Sequence, residues 1–257
     1  MKGKLVLYIL VACVVLAGLI WIAFKRRSED YTPKPVIFLT QQQTSDFIRN
    51  DADGYGLSLN QTNLEGLGVF NHQDLIEKWS TSAMAWKPEE IQKLRDAALI
   101  ADYHINTHLK GDTKRQMSEI EWKFAKTMSP YLCDGLPHTR EDVIFLTDKA
   151  VALSDLRSLA RLLIHEKTHV WQRKYPEAMN AWMDKQGFRR VKNVLEDPLQ
   201  RRNPDVDDWI YENSEGQMLG VQFNSTTPFS LSDVKYQLQL DHPFEQFASK
   251  MEKMVKG

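Results

Sequence analysis

Residues 5–24 read LVLYILVACVVLAGLIWIAF, twenty consecutive positions without a charged side chain. About twenty apolar residues is the length a helix needs to cross the hydrocarbon of a bilayer, so this run divides the chain into a membrane part and a water-soluble part. Lys2 and Lys4 precede it, and Lys25, Arg26 and Arg27 follow. The expectation is a single-pass N-terminal transmembrane helix over residues 1–24. A cleaved signal peptide is the alternative, with a basic start and a shorter apolar core. Leu10-Val11-Ala12-Cys13 also has the form of a bacterial lipoprotein cleavage box. Against both stands the apolar sequence that continues to Phe24. The lysine and arginine balance across the run is nearly even, so the side of the membrane on which the body lies stays open.

Residues 25–35, KRRSEDYTPKP, are charged and carry two prolines, a composition that cannot bury itself and reads as a tether. Residues 36–257 are long enough for one sizeable core and do not demand two. The formal net charge is −1 at pH 7, which leaves no global basic field to attract nucleic acid. Of the two cysteines, Cys13 lies in the apolar run and Cys133 in the body, so no disulfide can form within the body.

The pattern of the body is α+β and helix-dominated. Residues 36–40 and 143–147 share the letters VIFLT, β-branched and aromatic, and are expected as two buried strands. Residues 87–109 place Ile91, Leu94, Ala98, Ala101, Ile105 and Leu109 on one helical face. A shorter helix is expected over 114–128 and a loop over 131–139. Ser154 or Asp155 can cap a helix running to Lys174 before Pro176. Residues 176–194 are expected to be mostly helical, 209–223 to form a hairpin turning at 213–216, and 243–255 to return to helix.

The chemistry concentrates in residues 162–172, LLIHEKTHVWQ. Residues four apart on a helix differ by about 40° around the axis, so His165 and His169 project from one face and can reach one ion. Glu166 lies about 100° further round, near enough to reach a water on that ion. Most of the remaining circumference is apolar. Ser158, Arg161, Thr168 and Gln172 join the histidines in the polar gap, the pattern of a buried helix open to a cleft on one side.

HEKTH resembles the HExxH signature of zinc metallopeptidases. The resemblance implies Zn2+ on His165 and His169, Glu166 as general base, and a peptide or protein as substrate. Lys167 departs from it, since the family usually has uncharged residues inside the motif. Catalytic zinc takes a third protein ligand and keeps an open fourth position. The extended metzincin signature would need glycine at 172 and histidine at 175, where this chain has Gln172 and Tyr175. A downstream carboxylate on another helix, the gluzincin arrangement within a zincin-like domain, remains.

Glu196, Glu212, Glu215 and Glu245 are the candidates. Glu245 is favoured because it sits beside the apolar stripe Phe244, Phe247, Met251 and Val255, with Ala248 leaving room for close approach. The motif HPxExxA around it also resembles uncharacterised metallopeptidases of gluzincin type. His104 and His108 share the four-residue spacing without an accompanying base, and His108 is expected to pack in the core. His242 is expected to cap a helix or to stabilise an oxyanion, and residues 201–208 offer a carboxylate that could orient an imidazole. A membrane-tethered zinc-binding scaffold and a zinc hydrolase of non-peptide amides are the rival readings.

Overall fold

The computed structural model describes residues 35–128, 135–153, 155–236 and 241–255. The apolar run and residues 25–34 lie outside them, as do residues 131–134 of the expected loop. Among the described residues no helix is long and apolar enough to cross a membrane.

From Val36 onward the described residues form one compact unit. It begins with strand β1 (Val36–Phe38), followed by helices α1 (Gln41–Asn50), α2 (Gln61–Gly66), α3 (His72–Thr81), α4 (Pro88–His108) and α5 (Gly111–Glu119). Strands β2 (Trp122–Thr127), β3 (His138–Arg140) and β4 (Val143–Thr147) come next. Helices α6 (Asp148–Leu153), α7 (Leu156–Lys174) and α8 (Pro176–Gln186) lead into β5 (Arg189–Asn193). The C-terminal part holds β6 (Trp209–Glu212), β7 (Met218–Leu219), β8 (Val221–Phe223), β9 (Val234–Tyr236) and helix α9 (Pro243–Glu252). The architecture is α+β.

A four-stranded sheet of order β1-β2-β4-β3 organises the unit. β1, β2 and β4 run parallel, and β3 is antiparallel to β4 at one edge. Period-two alternation sends Phe124, Ile144 and Leu146 to one face, against Ala98 and Ala101 of α4 and Leu163 of α7. Ala125, Val143 and Phe145 go to the other, against Ile48 of α1 and Leu75 and Trp79 of α3. Both faces being covered is why β4 reads as an unbroken apolar run and not an alternating one.

Two sequence expectations fail at the same kind of place. The helix over 114–128 stops at Glu119, and 122–127 is strand β2. Lys126 within it is buried and paired with Glu90 at 2.8 Å. The helical stretch 176–194 ends at Gly187, whose φ of 76° suits glycine, and residues 189–193 pair with β6. Arg189, Arg190 and Lys192 give β5 no apolar alternation to read. The hairpin over 209–223 is β6 with β7, whereas β8 leaves it to pair with β9.

Candidate metal centre

Helix α7 starts where Asp155 accepts from the backbone N–H groups of Arg157 and Ser158, at 2.9 and 3.0 Å. That cap sets the phase of everything after it. Leu159, Leu163, Ile164, Val170 and Trp171 go into the core. Helix α9 lies against α7, with Phe247 stacked on Trp171 at 5.3 Å between ring centroids. Ala248, fully buried, allows the approach.

This packing brings Glu245 to the two motif histidines. Its Oε2 is 3.2 Å from His165 Nε2 and 3.5 Å from His169 Nε2, and the two Nε2 atoms are 3.1 Å apart. Among the described residues these three form the one group of histidine, cysteine and carboxylate ligands able to hold a metal ion.

An outer hydrogen bond orients each of the three. Gln172 donates through Nε2 to the Phe244 carbonyl at 2.9 Å, which turns its Oε1 to accept from His169 Nδ1 at 2.9 Å. His165 Nδ1 donates to Glu252 Oε2 at 3.2 Å. Asn203 donates to Glu245 Oε1 at 2.8 Å, leaving Oε2 for the centre. With both Nδ1 atoms carrying hydrogen, both neutral rings present a bare Nε2 lone pair. Two lone pairs and a carboxylate oxygen then face one another, an arrangement that needs positive charge between them.

The same need shows in the titration of the groups. Burial opposes a charge on either imidazole, yet Glu245 raises both above their ordinary value. Burial alone would raise Glu245, but the two histidines hold it far below the carboxylate range.

Glu166 is buried and its Oε2 has no hydrogen-bond partner among the described residues. Burial, with the charge of Asp205 second, pushes its carboxyl well above the usual range. It shares with His165 and Glu245 a cavity of about 210 Å³, lined also by Leu59, Leu136 and Leu231. Asp205 itself is tied to β3, accepting from the Thr139 N–H at 2.6 Å. Arg173, two turns beyond Glu166, donates to the carbonyls of Pro204 and Glu141 and to the Thr139 hydroxyl. These bonds pin the loop 201–208 across the edge of the sheet.

Lys167 points away from the centre. It is buried against α4, 3.3 Å from Asp102 and 3.9 Å above the Trp122 ring, and Asp102 also accepts from Trp122 Nε1 at 3.0 Å. The charge inside the motif thus belongs to the packing of α7, which accounts for the departure from the usual pattern.

The other candidates lie elsewhere. Glu196 and Glu215 are exposed, and Glu212 pairs with Arg189. His108 is exposed and not a core residue, stacked on His104 with ring centroids 5.3 Å apart. His242 caps α9 by accepting from the Phe244 N–H at 3.2 Å, and its Nε2 donates to the Trp209 carbonyl at 3.1 Å. Both nitrogens being engaged, it is no oxyanion donor.

The imidazole partners are Glu252 and Gln172, not a carboxylate of 201–208. Glu252 follows Glu245 by seven residues, two turns on the same face of α9, and that spacing was the signal available. No such signal marks Asn203, whose place depends on how the loop crosses the site. Comparison with models of protein families, with curated proteins and with solved structures returns no match.

Proposed function

We propose that this chain is a membrane-anchored zinc peptidase of zincin-like, gluzincin type, with His165, His169 and Glu245 holding the metal and Glu166 as general base. The observation that carries the reading is the convergence of three lone-pair-bearing atoms. A tetrahedral zinc site with bonds of about 2.0–2.1 Å has ligand–ligand edges of about 3.3–3.4 Å. The separations in this chain, 3.1, 3.2 and 3.5 Å, scatter around that value. Two imidazoles with one carboxylate suit zinc chemically. Among the described residues no fourth ligand joins them, which favours an open catalytic position over a closed structural one.

Zinc, when bound, supplies a Lewis acid that makes water a nucleophile near neutral pH and polarises a carbonyl. The chain's own part is proton handling and orientation. Glu166, whose Oε2 is buried without a hydrogen-bond partner among the described residues, would accept the proton of the attacking water and return it to the departing amine. Its raised pKa makes it a stronger base than an ordinary carboxylate. Leu59, Leu136 and Leu231 share the cavity lining with Arg201, Arg202 and Asp205, so apolar and charged walls meet beside Glu166. The apolar run at 5–24 supports the anchor.

The decisive experiment measures zinc content and peptide hydrolysis together. The parent should hold one zinc per chain, Glu245→Ala should lose it, and Glu166→Gln should keep it. In Glu166→Gln, kcat should fall about 10²–10⁴-fold, the usual contribution of a general base. Stoichiometric zinc in Glu245→Ala, or parental turnover in Glu166→Gln, would remove that residue from its role. Profiling with peptide and non-peptide amides separates proteolysis from its closest rival.

A further inference from the structure

Arg201 opens the loop that crosses the metal centre and lines two cavities there. Its backbone N–H donates to the Val221 carbonyl at 2.8 Å, and Val221, with His242 and Glu245, lines a cavity of about 220 Å³. Its guanidinium Nη1 donates to the Leu231 carbonyl at 3.3 Å, and Leu231 belongs to the wall of the cavity that holds His165, Glu166 and Glu245. That long bond occupies one of the five N–H donors of a guanidinium. Among the described residues no carboxylate pairs with the rest. The charged neighbours, by contrast, are already matched. Arg202, in the same two walls, pairs with Asp208 and donates to the Ser58 carbonyl at 3.1 Å. Asp205 accepts from the N–H and the hydroxyl of Thr139, and Glu245 accepts from Asn203 beside the two imidazoles. Arg201 is half-buried, and a charge partly withdrawn from water ordinarily has a counter-charge.

We propose that Arg201 receives a carboxylate of the substrate, so that the reaction at the proposed metal centre acts on amide bonds close to a free carboxylate. A guanidinium presents paired N–H donors that match the two oxygens of a carboxylate, and such charge-assisted pairs are stronger and more directional than neutral hydrogen bonds. A peptide carries this group at its C-terminus, and aspartate and glutamate side chains supply the same group within it. Arg201 shares one cavity of about 210 Å³ with His165, Glu166 and Glu245, which puts the carboxylate on a residue near the bond that is cut. The proposal rests on the zinc peptidase reading for the reaction, though not for the binding of the carboxylate.

The test uses the full chain supplied with zinc and three probes: N-acetyl-Ala-Ala-Phe as the free acid, the same peptide as its C-terminal amide, and N-acetyl-Ala-Ala-Glu amide, whose carboxylate is on a side chain. Hydrolysis is followed by mass spectrometry, and binding by calorimetry in the Glu166→Gln background. The free acid should be favoured over its amide about 10–100-fold in kcat/KM and in affinity, the worth of a hydrogen-bonded charged pair. Arg201→Gln should bring the acid down to the level of the amide. Arg201→Lys should keep part of the preference, since it retains the charge without the paired donors. The glutamyl amide tells the two sources apart: favoured like the free acid, it assigns the site to side-chain carboxylates, and treated like the plain amide, to a chain end. Equal handling of acid and amide by the parent overturns the proposal without recourse to a variant. So does a preference that survives Arg201→Gln, or a loss in that variant that is the same for acid and amide, which would make Arg201 only a tie between the loop and Leu231. Selective binding of the acid with no probe hydrolysed would count against the peptidase reading and leave the carboxylate site standing; hydrolysis without preference would do the reverse.

Discussion

Glu166 buries a carboxylate oxygen that has no hydrogen-bond partner among the described residues, and a fold tolerates that cost of about 1–3 kcal/mol only where something else is gained. His165, His169 and Glu245 add a second tension, resolved by a proton or by a metal. Its sign can be worked out for the metal-free protein. Raised imidazole pKa values contribute stability that is complete below the ordinary value of 6.5 and lost as pH rises through the folded values. The depressed Glu245 contributes stability present above its ordinary 4.5 and lost only in stronger acid. Glu166, raised, adds to the loss on the alkaline side. Metal-free protein should therefore melt at a lower temperature at about pH 8 than at about pH 6. Zinc displaces those protons, so its stabilisation should grow over the same interval. Calorimetry at both pH values, with and without zinc, checks both slopes; a metal-free Tm that rises with pH would contradict the assignment.

Helix α7 can present its ligands only if its azimuth is held, and Lys167 does much of that. A buried lysine against Asp102 with an indole beneath it is a directional contact, unlike the aliphatic packing around it. Asp102→Ala leaves the ammonium buried beside α4 and should cost about 3–5 kcal/mol in denaturant unfolding. Replacing both partners, Asp102→Leu with Lys167→Met, should recover most of it. If the single variant costs no more than the double, the pair is not what holds the helix. On α9, Glu252→Ala frees the His165 ring and should weaken zinc binding about 10–100-fold, read by competition with a chelator. These two residues differ in legibility. The charged pair was hidden because a lysine inside HExxH looked like a blemish until α4 came beside it. Strand β2 carries the same feature, a charged Lys126 that is buried because Glu90 meets it.

Across the whole molecule, the proposed metal ligands come from α7 and α9, with β5 to β9 between them in the chain. An ion bound there cross-links the C-terminal helix to the core. At free zinc about 1,000-fold above Kd the linkage is about 4 kcal/mol, which for a body of this size is a Tm rise of roughly 8–16 °C. Glu245→Ala should abolish that rise, and differential scanning fluorimetry decides it. The loop 201–208 belongs to this scale too. Asn203, Asp205 and Arg173 join α9, β3 and α7 through it, and no local pattern in those residues announces the crossing.

What the sequence determined by itself was periodic or local. Spacing of four put His165 and His169 on one face, the cap at Asp155 set the start of α7, and an apolar stripe beside Glu245 marked the carboxylate that would face the core. Those features follow from the 3.6-residue repeat and from backbone hydrogen bonding, which neighbours along the chain are enough to define. The tertiary structure alone decided which nitrogen of each ring faces the centre, that Glu252, Gln172 and Asn203 hold the ligands, and that two lysines lie buried. Each of these depends on a partner from a distant segment, and burial reverses what a charged residue means once its counter-charge arrives.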